Sequence, residues 1–336
     1  MNSDSETTQY FKREDSSNPQ RVEDRVAAII CTRGRPSLDD LMRSICECHA
    51  VPQIVIVVDA SANQTPGDLS IEQFDNELLK IIRIGATPGL PHQRNIGIEF
   101  VLESLEYRHC DILAFLDDDV EVSPNYFENL ISCFDSAKNV ICLGSVDVQH
   151  KEQRQSPLAL RLALVSSVVD GKLLMSGFAT LPPSNTHLSE TEWVPGFAVS
   201  FRRSILENNR FDSRIAFYGE DLEFQLRIGH LGKIAVSNRL RVTHRQSPLS
   251  RDSTRDHWGY SDGFRWSMAE RFPKRVKKFA VIWSTLALMT FEMVRYIQSK
   301  GRRPPLELLG HCDFLLRLVS SAEVQKLRSQ PRRDVR

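Results

Sequence analysis

Three apolar runs of strand length each end abruptly in polar residues. They are Val26-Ala-Ala-Ile-Ile-Cys31 before Thr32, Gln53-Ile-Val-Ile-Val-Val58 before Asp59, and Ile112-Leu-Ala-Phe-Leu116 before Asp117-Asp118-Asp119. A continuous apolar strand is buried on both faces, which is the mark of a parallel, doubly wound sheet covered by helices. Between the runs the apolar spacing turns helical. Ser37 to about Cys48 carries Leu38, Leu41, Met42 and Ile45 on one face, and a second helix is predicted from about Gln93 to Glu106. Strand–helix alternation of this kind predicts an α/β fold in which ligands sit outside the carboxyl ends of the strands. Thr32, Asp59 and Asp117–Asp119 are all expected at that edge.

Ile81–Ile84 reads as a further short strand, followed by a turn over 85–91. Downstream the pattern is less regular. It predicts a helix near Leu158–Val169, a loop from Gly171 to Asn185, a strand over Phe197–Phe201 and a helix from Glu220 to about Leu231. Two short strands follow, Lys233–Val236 and Leu240–His244. Residues 1–24 are polar and aperiodic, which predicts a mobile tail. The chain has 336 residues, 41% of them apolar and 26% charged, enough for one large domain with appendages. Forty-three basic residues balance forty-three acidic ones, which argues against nucleic acid as the partner. Seven cysteines without framework spacing, and no apolar leader, fit reduced thiols in the cytoplasm.

Three adjacent carboxylates at a strand end repel one another unless they face water or hold a cation. A hard divalent ion, Mg²⁺ or Mn²⁺, takes such oxygen ligands and can neutralise a diphosphate. Phosphatases of the haloacid-dehalogenase type also use aspartates after a strand. Their D-x-D-x-[TV] pattern fails here at Glu121, and it belongs on a first strand. In Phe217-Tyr-Gly-Glu-Asp-Leu-Glu-Phe-Gln-Leu-Arg227 a glycine precedes two acids at a helix start. The helix dipole favours acids there, and either Glu220 or Asp221 could serve as a general base. His244 closes a strand and is a candidate third metal ligand.

Residues 271–303 change character. Lys274, Arg275, Lys277 and Lys278 precede thirteen uncharged residues, Phe279–Phe291, and Arg295, Lys300, Arg302 and Arg303 follow. Thirteen residues are too few to span a bilayer, so a helix buried against the domain is expected. The alternative is an interfacial helix making peripheral contact with anionic lipid at the inner face of the membrane.

In this order the motifs resemble glycosyltransferase family 2, the inverting transferases with the GT-A fold. "VAAIICTRGRP", "IVIVVDAS", "GLPHQRNIG", "FLDDDV", "GFAVSFRRS" and "GEDLEFQLRIGHLG" match its separated segments over roughly residues 25–248. The resemblance implies a Rossmann-like, mostly parallel mixed sheet flanked by helices over 25–250. A helical C-terminal extension over 251–325 and a basic tail over 326–336 would follow. It implies a nucleotide-sugar donor held by Thr32, Arg35, Asp59, Arg94, Asn95, Asp117 and Asp118, with a divalent cation on Asp119 and His244. Asp221 would be the base with Glu220 beside it, and Trp193 and Gly196 would face a saccharide or lipid-linked acceptor. A nucleotidyltransferase is the alternative enzyme. It would carry a glycine-rich phosphate loop after its first strand, which "CTRGRP" lacks. A scaffold that had lost catalysis is the non-enzymatic alternative, yet Asp119, Asp221 and His244 are all present.

Overall fold

The computed structural model describes residues 21–61, 65–72, 79–149, 157–215, 219–245, 254–301 and 305–319. The first strand, β1 (Arg21–Thr32), pairs in parallel with β2 (Ala50–Asp59) across helix α1 (Ser37–Cys46). Its apolar residues alternate between two cores. Val26, Ala28 and Ile30 face one side, and Ala27 and Ile29 face the other. After β3 (Leu69–Glu72) and β4 (Ile81–Gly85) comes α2 (Leu90–Glu103), then β5 (Ile112–Asp117) and β6 (Val120–Val122). Helix α3 (Tyr126–Ser136), β7 (Val140–Asp147) and a single turn and a half of helix, α4 (Leu158–Leu162), follow. The later part holds β8 (Ser189–Thr191), β9 (Ala198–Arg202), α5 (Arg203–Leu206), α6 (Glu220–Ile228) and β10 (Lys233–His244).

Among the described residues ten strands form one sheet in the order β3-β4-β2-β1-β5-β9-β7-β10-β6, with β8 beside β10. Six of them (β4, β2, β1, β5, β7 and β10) run one way, and the other four are antiparallel to their neighbours. Helices α1 and α3 cover one face, and α2, α5 and α6 the other. Each fully buried Ile, Leu or Phe in these layers contributes about 1.5–3 kcal/mol relative to exposure. Three more helices, α7 (Thr254–Arg271), α8 (Lys278–Gln298) and α9 (Leu306–Val319), pack together around Met268, Val276, Val281 and Phe314.

Several boundaries differ from the sequence reading, each for a local reason. Strand β1 starts at Arg21, inside the expected tail, because residues 21–23 pair with Ala50–Pro52 before a register shift and Arg25 is tied to Asp111 and Asp135. Residues 1–20 and the basic tail lie outside the described residues. Helix α2 begins three residues early, since Pro91 is tolerated in a first turn, where its missing N–H costs nothing. The helix predicted to reach Val169 stops at Leu162. Leu164 takes a φ of 56° and its carbonyl accepts from the Ser176 hydroxyl. The two short strands after α6 are one, β10, kinked by a register shift between Val236 and Arg241. Strands β3, β6, β7 and β8 and helix α3 are additions that the pattern did not disclose.

Candidate active site

The register of the sheet sets the site. Thr32 is opposite Asp59 across β1 and β2, and Cys31 is opposite Asp117 across β1 and β5, so the three polar strand ends share one edge. At the β2 side, Asp59 accepts from Arg83 at 2.6 Å and from the Ser61 amide at 2.8 Å. Thr32 Oγ1 donates to Asp118 at 2.7 Å, and Arg35 donates to its other oxygen at 2.8 Å. Burial pushes the Asp118 carboxyl up, and Thr32 and Arg35 oppose that shift. Gln93 was not foreseen as a site residue. Its Nε2 donates to both Thr32 O and Val58 O at 2.9 Å, which fastens the ends of β1 and β2 together.

The second group depends on an antiparallel pairing. Strand β6 lies against β10 with Val120 opposite His244, so the residue before Val120 meets a histidine 125 positions later. His244 Nε2 lies 3.1 Å from Asp119 Oδ1, its ring packs on Phe197 with centroids 4.9 Å apart, and its backbone N–H donates to Asp147. Asp117, Asp119 and His244 each bring a ligand atom within 4.8 Å of the others. Asp117 thus joins the two residues expected to hold metal, whereas Asp118 turns toward Thr32. Burial pushes Asp117 up to about 6 against the pull of Arg94, and the charges of Asp119 and Asp118 add to the rise. Burial works against protonating His244, yet its bond to Asp119 and the charges of Asp119, Asp117 and Asp147 hold its pKa above the ordinary value. Two carboxylates and an imidazole suit Mn²⁺ or Mg²⁺, and a cation would offset this crowding of acids.

The third group is at the start of α6. Gly219 enters it at φ +81°, and a Cβ there would meet the Phe264 ring at 2.3 Å, so the position excludes a side chain. Asp221 accepts from the Gly196 amide at 2.8 Å and from its neighbour Leu222 at 2.7 Å. Arg94, only 2% exposed, donates to Glu220 at 3.0 Å and to Gly196 O at 2.9 Å, and lies 3.5 Å from Asp117. Burial, with Asp221 beside it, drives the Glu220 carboxyl up to about 7, and Arg94 restrains the shift. Burial also raises Asp221, opposed first by Arg94 and then by the backbone donors. Asn95 turns to the Phe211 backbone, donating to its carbonyl and accepting from its amide, and so holds that loop.

Asp117, His244, Arg94, Glu220 and Asp221 open on one cavity of about 700 Å³, with Gly196 and Trp193 in its wall. Thr32, Arg35, Asp59 and Asp118 do not line it, so the expected site divides into a strand-edge network and a cavity joined through Asp119. Trp193 donates to Thr180 O, and Gln225 clamps Val194 through both its amide N–H and its carbonyl. The 177–184 segment also walls the cavity, where Phe178 and Pro182 contribute without any catalytic signature in the sequence. Asp147 was also missed, although it ends β7 at the same edge, where the strand-end rule applies.

Residues 27–208 match glycosyl transferase family 2, and the chain belongs to that family. Its mixed ten-stranded sheet flanked by helices is consistent with the GT-A fold. Similar solved structures include GalNAc-T7 with UDP, GalNAc and Mn²⁺, at 14% identity and a TM-score of 0.45 over 82% of this chain and 58% of that one. The mannosyltransferase PcManGT from Pyrobaculum calidifontis, in complex with GDP-Man and Mn²⁺, aligns at 15% identity and a TM-score of 0.48, covering 90% and 84%. TarS of S. aureus aligns at 13% identity and a TM-score of 0.42, covering 81% of this chain and 43% of that one. No curated protein matches.

Proposed function

We propose that the protein is an inverting glycosyltransferase. It would move a sugar from a nucleoside-diphosphate sugar to an acceptor hydroxyl in one displacement. The observation that carries this reading is the meeting of Glu220 and Asp221 with Asp117 and His244 around a single cavity, with Asp119 held against His244. A base and a site for leaving-group charge are the two things such a transfer requires.

Asp221 is the base in this scheme, aimed by the amides of Gly196 and Leu222. It takes the proton of the acceptor hydroxyl as that oxygen bonds to the anomeric carbon. The bond from that carbon to the diphosphate oxygen breaks on the opposite face, and its electron pair leaves with the diphosphate. Positive charge grows on the sugar during the exchange, and the acids around it favour that charge. A single displacement inverts the anomeric centre. Glu220, fixed by Arg94, orients the acceptor, and Trp193 and the 177–184 segment wall its pocket, which suits a saccharide or a lipid-linked sugar. Thr32, Arg35 and Asp59 support the nucleoside, and Asp118 its ribose. Asp117, Asp119 and His244 would hold a divalent cation, which when bound neutralises charge on the diphosphate. The reading places the protein in the cytoplasm, since seven cysteines without framework spacing suit reduced thiols.

The test is donor turnover with UDP-, GDP- and dTDP-sugars, with Mn²⁺ and after chelation. One donor should turn over, and Asp119→Ala should lower the rate by about 10²–10³-fold. Unchanged turnover in both Asp119→Ala and Asp221→Ala would remove the assignment.

A further inference from the structure

Helix α8 splits into two faces that ask for different surroundings. Ala280, Val281, Ser284, Thr285 and Leu288 are buried, and Arg265 donates to the hydroxyls of Ser284 and Thr285 at 2.7 and 3.0 Å. That face belongs to the protein. The other face carries Phe279, Trp283, Leu286, Met293 and Ile297 at intervals of four, three, seven and four residues, which puts them on one stripe. All five are exposed, Phe279 by 67% and Ile297 by 66%. The patch continues onto α4, because Trp283 Nε1 donates to Leu162 O at 2.9 Å and Leu158 and Leu162 are themselves exposed. Apolar patches this extensive on a folded chain mark an interaction surface.

Charge identifies the occupant. Between Lys274 and Lys300 six basic residues stand against one acid, Glu292, on a chain whose formal net charge is zero. Lys274, Arg275 and Lys278 cluster at the N-terminal end of the stripe, Arg275 and Lys278 also pairing with Glu192 and Glu270 on neighbouring segments, and Phe279 and Trp283 there provide the aromatic rings that suit a headgroup boundary. We infer that α8 and α4 form a docking surface for an anionic lipid bilayer. At 21 residues α8 is long enough to cross a membrane. Its buried hydroxyls, bonded to Arg265, keep it against the protein, so it lies in the interface plane with its apolar stripe among the acyl chains. The Lys277 amide donates to Met175 O at 2.7 Å, which ties this surface to the segment leading into the 177–184 cavity wall. The inference stands on the stripe and its charges and does not depend on the transfer chemistry.

Flotation of the full chain tests it, with vesicles of phosphatidylcholine alone and with a minority of phosphatidylglycerol. The protein should float with the anionic vesicles, less with the neutral ones, and less again at raised salt. Phe279→Glu with Leu286→Glu should abolish flotation while the far-UV spectrum is kept. Lys274→Gln with Lys278→Gln, the second giving up an exposed pair with Glu270 and a contact with the Trp266 ring, should weaken partitioning roughly fivefold for each charge with the far-UV spectrum kept. Failure of the wild type to float with anionic vesicles would overturn the proposal, as would flotation unchanged in both double variants. A dimer that Phe279→Glu with Leu286→Glu dissolves, in protein that never binds vesicles, would reassign the face to a second copy of this chain.

Discussion

Glu220 and Asp221 sit side by side in a buried turn, and the consequences are measurable. Both carboxyls are raised, Glu220 to about 7, by burial that Arg94 only partly offsets. A base must be ionised to act, so kcat/KM is expected to rise with pH through an acid limb near 7 that belongs to the pair. Asp221→Asn should cost about 10²–10⁴-fold in kcat with the donor KM little changed. A loss of less than tenfold would move the role to Glu220. Stability carries the same signature with the opposite sense. A carboxyl raised on folding favours the folded state when protonated, fully below its ordinary value and not at all once pH has passed its folded pKa. Glu220 at about 7 and Asp117 at about 6 place that loss between roughly pH 4 and pH 7, and His244, also raised, adds to it. The metal-free protein should therefore melt at a lower temperature at about pH 8 than at about pH 5. Glu220→Gln should flatten the decline, and an unchanged slope would show that Glu220 does not cause it. The acids and His244 were legible in the sequence because strand ends and a glycine before two acids are local signals. Gln93 and Arg83 were not, since nothing in their neighbourhood announces that they meet Thr32 and Asp59 across the sheet.

Elements differ in how far local pattern defines them. The runs Val26–Ile30, Ile54–Val58 and Ile112–Leu116 in β1, β2 and β5 are buried and continuously apolar, so the existence of these strands follows from sequence alone. Strand β6 is three residues long and has no pattern of its own. Only its pairing with β10 makes it a strand, and that pairing brings Asp119 to His244. Helix α4 failed in the other direction, because its apolar spacing continued where the backbone did not. The C-terminal helices meet the cavity wall through one buried cation. Arg265 donates to Ser176 O at 3.1 Å, bonds Asp262, and lies 4.0 Å over the Phe178 ring, while Asp262 also holds His311 at 2.6 Å. Arg265→Met would leave Asp262 buried without its guanidinium, a type of change that costs about 3–5 kcal/mol. Urea titration should show this loss. A change below about 0.5 kcal/mol, typical of surface substitutions, would mean that the network holds nothing together.

The molecule as a whole poses the question of where its catalytic unit ends. The family match stops at residue 208, yet Glu220, Asp221 and His244 lie beyond it, and α6 is roofed by α7. Phe264 occupies the space above Gly219, and Arg271 bonds Glu223 at 3.0 Å and also Asp212. Arg275 bonds Glu192 at 2.6 Å. The sequence reading treats 251–325 as an extension of a domain ending at 250, because the resemblance to the family runs only to about residue 248. These contacts favour one cooperative unit, since a separate domain would meet its neighbour through few ties across a linker. Tryptophan reports on the difference. Three of the four tryptophans, Trp258, Trp266 and Trp283, lie on α7 and α8, and Trp193→Phe removes the fourth, in the cavity wall, whereas the far-UV signal comes from every helix and strand. In urea the two signals should fall with the same midpoint and slope, as a two-state transition requires. Tryptophan emission changing first would show that α7–α9 detach while the sheet stays folded. The cavity would then have to keep its wall without them, and the 177–184 segment could not depend on Arg265.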